Sequence, residues 1–598
     1  MMKGIRQELE EKYENLFRKY GFEHPVDAKK INYVIKEALR EFLKNARKPA
    51  VYCNGGHTRM LMADFMYELK NVRYIVDNYA SEEKDGGFSV IRDADLEEKE
   101  IDAVILSTFK FRQDVKQSLA VNHPGIPALD IYDEFEKNGI IIQADYYYSH
   151  HPYHHYHSIN YLQREIRETA DTEKLEGLYK ELISKYIHIR DFRTALLKTR
   201  EFGQIKPAEW IKTLECDLTE LYESEQEAAA AVSDNNILMF CLDGLRRQDL
   251  SERDMPKVKR ILDETAYSFT NAYSFSTSTF ESLIPVYSEN CDLRTHYYEK
   301  NEVAAEDCRF FRLAERQKRS IYIYADMEHY IESSSIHYSD QFQTVTEKIW
   351  DFILDGCEEK NGLFYLHESY ESHFTFSNPY TPAPLKSEGT AMLFDFLPVK
   401  GRRLRADYKA QHQDAVRYLD DVLEPFLLKL SCRMVLYADH GNLILEKDTK
   451  LSEVKDMEYV CSEGWTRIPL MIRCPEMGIG KNDDLISLTE LNSMLVSLLN
   501  KEDYIKTGFR KRHFIKMARS ELYNPDFRFL YRITGKEQYL QAFECFLFEG
   551  GEKLIIFADG YMELRSAQDD RLIPDEKKRE RLLNEIRDEI TVTDCLSV

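Results

Sequence analysis

The sequence predicts an α/β protein built of several domains, and three observations predict it. Short apolar runs such as "NNILMFCL" and "RMVLY" recur, and each leads into a polar residue and a turn. Amphipathic helical stretches separate these runs, the alternation expected of a parallel sheet. The chain is 598 residues long, which at roughly 150 residues per domain corresponds to two to four units.

Taken in order, residues 1–47 read as amphipathic helix. "KPAVYCNGGHTRMLMADFMYEL" then reads as a strand, a Gly-Gly turn and a helix, "NVRYIVDNYA" as a strand ending in Asp77, and "EIDAVILSTF" as one ending in Ser107 and Thr108. A parallel sheet of this kind offers ligand sites at the carboxyl ends of its strands. Residues 48–135 resemble the small Rossmann-like sensor or nucleotide-binding domains attached to bacterial surface-glycan enzymes, on Gly55, Gly56, His57 and Asp77. The resemblance implies a domain over 48–140 in which Gly55, Gly56 and Asp77 contact a cofactor. "CNGGHTRM" has two adjacent glycines where the dinucleotide fingerprint has G-x-G-x-x-G, and a Gly-Gly turn also serves as a plain βα connection.

Residues 141–232 are expected to form a His/Tyr-rich loop and a helical connector. "YYYSHHPYHHYHS" holds five of the chain's 17 histidines, interleaved with aromatics and without a regular metal-ligand spacing, which suits a packed or partner-facing loop. The alanine-rich "ESEQEAAAAVSD" marks the boundary with a catalytic domain over 233–598.

That domain opens on a buried strand ending in Asp243 and a glycine turn. "AYSFSTSTFESLIPVYS" follows, with Thr279 and Ser282 at i, i+3 and Thr279 in the first turn of a helix, where unpaired backbone N–H groups favour an anion. Thr279 also suits a plain N-cap. "MVLYADHGN" then ends a buried strand at Asp439 and His440.

Over residues 234–575 the chain resembles the alkaline phosphatase superfamily, and within it the sulfatase-like hydrolases and the phosphoglycerol and phosphoethanolamine transferases. The resemblance rests on the ordered set Asp243, Thr279-x-x-Ser282 and "LYADHG", on "EGWTRIPLMI" with the following "SLTELNSMLVSLL", and on "GGEKLIIFADGYMELRSAQDD". It implies an alkaline phosphatase/sulfatase-like catalytic domain with a small C-terminal sheet, preceded by the Rossmann-like domain and the helical connector. It further implies that Asp243, Thr279, Asp439 and His440 hold one divalent cation, that Thr279 is the nucleophile, and that His367 or, as the better match, His373 binds phosphate or protonates the leaving group. Three oxygen donors with one imidazole suit Mn2+ or Zn2+ better than Mg2+ or Ca2+.

Departures from the family narrow the reading. "TFESL" lacks the Cys/Ser-x-Pro-Ser-Arg that sulfatases convert to formylglycine, so sulfate esters are not expected as substrates. For a second metal the nearest candidates are Asp326 and His329 in "YADMEHY", and beyond "DHGN" only Glu463 stands near the place of a second histidine, so one metal is expected.

Composition sets further bounds. A net charge of -23 repels a phosphate backbone and excludes nucleic acid as the main partner. The charged amino terminus does not read as a signal peptide, no apolar run approaches the roughly 18 residues of a membrane span, and the 11 cysteines show no paired spacing. A reduced, cytoplasmic enzyme is therefore expected, with a phosphate-ester donor, a glycan or small-molecule acceptor, and room for a peripheral encounter with a membrane. The competing readings are a phosphomonoesterase drawing positive charge from Arg246, Arg247 and Arg467, and a catalytically silent sulfatase fold used for binding.

Overall fold

Three runs with no exposed residue, Gly362–Glu368, Ile237–Leu242 and Arg433–Tyr437, lie side by side at the centre of an eight-stranded sheet. A strand covered on both faces needs apolar residues throughout, which is why these segments read as continuous runs and not as alternating ones. The structure, a computed structural model, describes residues 4–22, 28–55, 57–58, 61–62, 65, 67–79, 84–85, 88–109, 111–140, 152–291, 303–325, 331–339, 343–373, 376–381, 402–442, 444, 460–505, 535–590 and 592.

The sheet order is Ile336–Ser339, Ser320–Tyr324, Gly362–Glu368, Ile237–Leu242, Arg433–Tyr437, Leu470–Arg473, Tyr267–Phe269 and Gly480–Asn482. The first five are mutually parallel, and Leu470–Arg473 runs antiparallel to its neighbours. The helix Arg402–Lys429, legible in "LRADYKAQHQDAVRYLDDVLEPFLLKL", packs on Pro256–Thr265 and on the long connector helix Glu209–Ala231.

The amino-terminal sheet has the order Lys84–Asp85, Phe88–Ile91, Tyr74–Val76, Pro49–Tyr52, Ala103–Leu106 and Ala128–Asp130, parallel except for the first pair. The two helices of residues 1–47 go to different places. Ala28–Leu43 buries Ile31, Val34, Ile35 and Leu39 in the core of this sheet. Ile5–Tyr20 instead buries Leu9, Tyr13, Leu16 and Phe17 in the main core, against Glu209–Ala231 and Val345–Glu358, with Arg6 Nη1 2.6 Å from Asp355 Oδ1. Among the described residues no helix is long and apolar enough to cross a membrane.

The connector helices Thr172–His188 and Phe192–Ile205 start at Asp171 and Asp191, whose carboxylates accept backbone N–H bonds. Glu225, on the helix Glu209–Ala231, is pushed up to about 8 by burial and by the nearby Asp191. A carboxyl raised in the folded state contributes stability that is present below its unfolded value of about 4.5 and lost as the pH rises through 8. Glu225→Gln is expected to raise the unfolding midpoint by ~2–4 °C or more at pH 8.5 and to leave it unchanged near pH 4.5; a pH-independent difference in differential scanning fluorimetry contradicts this.

The small C-terminal sheet expected from "GGEKLIIFADGYMELRSAQDD" is present as the antiparallel strands Phe543–Leu547, Glu552–Phe557 and Met562–Ser566. It is joined to the body of the eight-stranded sheet by Lys553, fully buried, whose Nζ lies 2.6 Å from Glu463 Oε1 and donates to Cys461 O at 2.7 Å. Burial works against the ammonium, and Glu463 and Asp570 outweigh it, holding Lys553 above its ordinary value. Lys553→Met is expected to destabilise the protein by ~2–4 kcal/mol, because it leaves the partly buried Glu463 with only the longer 3.6 Å ion pair to Arg467; urea unfolding of the two proteins measures it.

Candidate active site

The register of the central strands builds the site. His367 and Tyr437 both stand opposite Cys241, and Glu368 opposite Leu242. Three carboxyl ends therefore finish at one level, and the residues at or just beyond them, His367, Asp243, and Asp439 with His440, meet although far apart in the chain. Asp243 is followed by Gly244 at φ +72°, where a Cβ would come within 2.6 Å of Asn442 Nδ2. The tight turn lets Gly244 N donate to Asp439 Oδ1 at 3.2 Å.

Thr279 arrives from outside the sheet as the first residue of the helix Thr279–Ser288, after Ser278 at the N-cap. Ser282, its i+3 partner, accepts from Ser276 N at 3.2 Å and donates to Ser276 O at 3.1 Å, so it shapes the entry to the helix. Trp465 Nε1 donates to Thr277 O at 3.2 Å. Held this way, Thr279 Oγ1 lies 3.4 Å from Asp243 Oδ2 and 3.4 Å from His440 Nε2. The opening N–H groups of the helix have no intrahelical acceptors, which favours an anion beside Thr279.

His440 Nδ1 lies 2.7 Å from Gly441 O, a contact that only an N–H can make, so Nε2 is the nitrogen left facing the carboxylates. It stands 3.5 Å from Asp243 Oδ1 and 3.5 Å from Asp439 Oδ2. Both oxygens are buried and have no hydrogen-bond partner. Leaving two carboxylate oxygens in that condition costs free energy unless something positive lies between them. Two carboxylates, a hydroxyl and an imidazole therefore fit a divalent cation, with the donor set that suits Zn2+ or Mn2+. Asp243, His373 and His440 each bring a ligand atom within 4.8 Å of one another, as do Asp243, His367 and Asp439. Burial raises Asp243, but His373, His367 and His440 outweigh it and hold the carboxyl well below its usual range; burial and the charge of Asp243 push Asp439 up.

The two further histidines differ. His367 is buried, with Nε2 3.0 Å from Asp243 Oδ2 and Nδ1 2.8 Å from Tyr365 Oη, so it orients the Asp243 carboxylate from behind. His373 is 36% exposed, with Nε2 3.9 Å from Asp243 Oδ1, and is the one at the mouth of the site. Sequence reasoning passed over Asn442 and Ser372. Asn442 Nδ2 donates to Gly244 O at 2.6 Å and Ser372 O at 2.9 Å, and Ser372 Oγ donates to Asp243 O at 2.8 Å, tying three loops together. The only signal for them was adjacency to Asp439, His440 and His373.

Other expected residues lie elsewhere. Glu463 accepts from Tyr273 Oη at 3.0 Å and pairs with Lys553, away from the carboxylates. Arg246 is committed to Asp249, Nη2 to Oδ1 2.5 Å, and Arg467 Nη2 donates to Thr270 O at 2.9 Å. Arg247 Nη1 donates to Leu250 O at 3.3 Å. Asp326 and His329 lie outside the described residues. In the amino-terminal domain, Asp77 accepts from Asn54 N at 3.1 Å and Tyr79 N at 2.7 Å, beside Gly55, while Gly56 lies outside the described residues. His57 contacts Ser107 Oγ at 2.8 Å and Tyr132 Oη at 2.6 Å, and burial pulls it down to about 3. Of the His/Tyr-rich tract, residues from Pro152 onward begin the helix Pro152–Glu168.

No family model matches the chain, and no curated protein does. Similar solved structures include a phosphonate monoester hydrolase from Silicibacter pomeroyi, 12% identical over 59% of this chain and 95% of that one, with a TM-score of 0.44. A protein in the alkaline phosphatase superfamily from Vibrio parahaemolyticus is 12% identical over 58% and 84%, with a TM-score of 0.38. The C-terminal periplasmic domain of EcEptC from Escherichia coli, in complex with Zn, is 10% identical over 48% and 89%, with a TM-score of 0.32.

Gly441 tests the geometry without altering a donor. A Cβ there would lie 2.2 Å from Gly464 O, so Gly441→Ala must displace His440 or the Gly464 loop. It is expected to weaken Zn2+ or Mn2+ binding ~10–100-fold in calorimetric titration; wild-type affinity in the folded variant refutes the site as drawn.

Proposed function

We propose that the protein is a metal-dependent phosphotransferase or phosphodiesterase that moves an alcohol-phosphate group, of phosphoglycerol or phosphoethanolamine type, through a phosphothreonine intermediate on Thr279. The observation that carries this reading is the position of Thr279 Oγ1, at a helix N-terminus and 3.4 Å from both Asp243 Oδ2 and His440 Nε2, beside two unpartnered carboxylate oxygens. Asp243, Thr279, Asp439 and His440 would hold the divalent cation. Bound there, it supplies Lewis-acid activation that lowers the pKa of the Thr279 hydroxyl.

The rest falls to the chain itself. The amides opening the helix Thr279–Ser288 receive the phosphoryl oxygens. Thr279 Oγ, its proton already lost to solvent, forms a bond to phosphorus as the bond to the first alcohol breaks, and His373, the exposed imidazole, gives that departing oxygen a proton. A hydroxyl of a glycan or small molecule, or water, then attacks phosphorus, gives up its proton to His373 and releases Thr279. His367 keeps the Asp243 carboxylate oriented throughout. The engagement of Arg246 with Asp249 weighs against a monoesterase, since a doubly charged phosphate calls for a cationic clamp. The reading extends to surface-glycan modification from the cytoplasmic side of a membrane, with the amino-terminal α/β domain contacting donor or acceptor.

The test is turnover of an aryl phosphodiester beside the matching monoester and sulfate ester with added Mn2+ or Zn2+. The diester is expected to be cleaved only with metal, and Thr279→Ala to lower kcat at least ~10³-fold. Mass spectrometry of quenched enzyme is expected to find the phosphoryl group, still esterified to the second alcohol, on Thr279. Inertness toward all three esters with metal demonstrably bound overturns the enzyme reading in favour of a binding module.

A further inference from the structure

The loop that carries His373 is held from three sides, and two of the holds come from outside the catalytic domain. Glu368, fully buried at the end of its strand, accepts through Oε1 from the backbone N–H groups of Tyr370 at 2.9 Å, Glu371 at 2.5 Å and Ser372 at 3.1 Å. This draws residues 368–373 into a tight arch, closed further along by Phe376 N donating to His373 O and Ser377 N to Tyr370 O, both at 2.8 Å. The side chains of the arch then diverge. Tyr370 packs against the core cluster of the amino-terminal α/β domain, which contains Ile31, Val51, Phe65, Ile105 and Tyr132, with Phe109 at its margin. Lys348 Nζ stands 5.9 Å from the Tyr370 ring, on the catalytic side. Glu371, fully buried, accepts from Val345 N at 3.0 Å and from the hydroxyl of Tyr156 on the connector helix Pro152–Glu168.

The same connector helix reaches the chain beyond the arch: Asn160 Nδ2 donates to Asn378 O and Gln163 Nε2 to Pro379 O, each at 2.9 Å. Both ends of the His373 segment are thus fastened to elements that precede the catalytic domain in sequence. His367 needs no such support, because it sits on the central strand itself. His373 stands five residues beyond Glu368, the last residue of its strand, and one beyond Ser372, the last that Glu368 reaches by a hydrogen bond, and its imidazole is more than a third exposed.

We propose that the amino-terminal α/β domain and the connector helix are working parts of the site, and that Tyr370, Glu371 and Tyr156 are positioning residues that hold His373 where it can protonate a leaving oxygen. The inference rests on the proposed function for the role of His373, and on the observed packing alone for the clamp. It gives the appended domain a mechanical task besides any ligand of its own: whatever shifts the core of that domain, on which Tyr370 packs, moves Tyr370 and, through the arch, His373.

The experiment compares Tyr370→Ala, Tyr370→Phe, Glu371→Ala, Glu371→Gln and His373→Ala in the full chain, with two phosphodiesters that differ in leaving group. 4-Nitrophenol leaves without a proton and an alkyl alcohol does not, so loss of a placed acid separates the two substrates where general damage does not. Tyr370→Ala and Glu371→Ala are expected to follow His373→Ala, losing ~10²-fold on the alkyl ester and far less on the nitrophenyl ester, with Zn2+ affinity kept. Tyr370→Phe keeps the ring and Glu371→Gln keeps the acceptor oxygen, and both are expected to resemble wild type. Equal losses on the two esters, or conservative variants as impaired as the alanine ones, overturn the proposal. Amide hydrogen exchange decides the clamp separately from catalysis. Faster exchange confined to 368–373 in the alanine variants, with 435–442 unchanged, is expected even if wild type turns over neither ester, an outcome that would sink the enzyme reading and spare the clamp; unchanged exchange at 368–373 sinks the clamp whatever the kinetics.

Discussion

Two carboxylates, Asp243 and Asp439, are buried side by side at the ends of adjacent parallel strands, and the rest of the site is arranged around that fact. Each has an oxygen satisfied within the protein, Asp243 Oδ2 by His367 and Asp439 Oδ1 by the N–H groups of Gly244 and His440, and each has one left without a partner. Like charges this close and this dry are tolerable only with positive charge between or beside them. The histidines supply part of it. A divalent cation supplies it more completely, and the Nε2 edge of His440, aimed by the contact of Nδ1 with Gly441 O, is turned the right way to share one.

The scaffold is organised to keep those two groups apart and fixed. Asn442 ties the Gly244 turn to the Ser372 loop; Gly441 passes so close to Gly464 that no side chain fits; the Gly464 loop is in turn braced by Glu463 and the buried Lys553 of the C-terminal sheet. The small C-terminal sheet is therefore connected to the Asp439–His440 turn by a short chain of contacts, just as the amino-terminal domain and connector are connected to His373. Peripheral elements from the amino-terminal and carboxyl-terminal parts of the chain bear on different halves of one site.

Much of this was legible beforehand. Asp243, Thr279, Asp439 and His440 stand out because each follows or opens an element whose burial or capping pattern is plain, and the structure brings all four together. The amino-terminal sheet, the connector helices and the C-terminal sheet were equally visible, since period and turn residues mark them. What local pattern does not carry is the destination of a helix. Ile5–Tyr20 and Ala28–Leu43 are both amphipathic, yet one joins the main core and the other the amino-terminal sheet. Nor could the roles of His367 and His373 be divided, or Glu463 be taken from the site and given to Lys553, without knowing what faces them.

The sequence by itself determined the elements, their order, and the chemical identity of the residues placed at their ends, because propensity, burial period and capping are local properties of the chain. The tertiary structure alone decided which ends meet. That outcome depends on strand order and register, His367 and Tyr437 both opposite Cys241, and on long-range packing such as Tyr370 against the amino-terminal core. These are contacts between residues tens to hundreds of positions apart, whose energies depend on the whole assembled sheet and leave no mark in any short stretch of sequence.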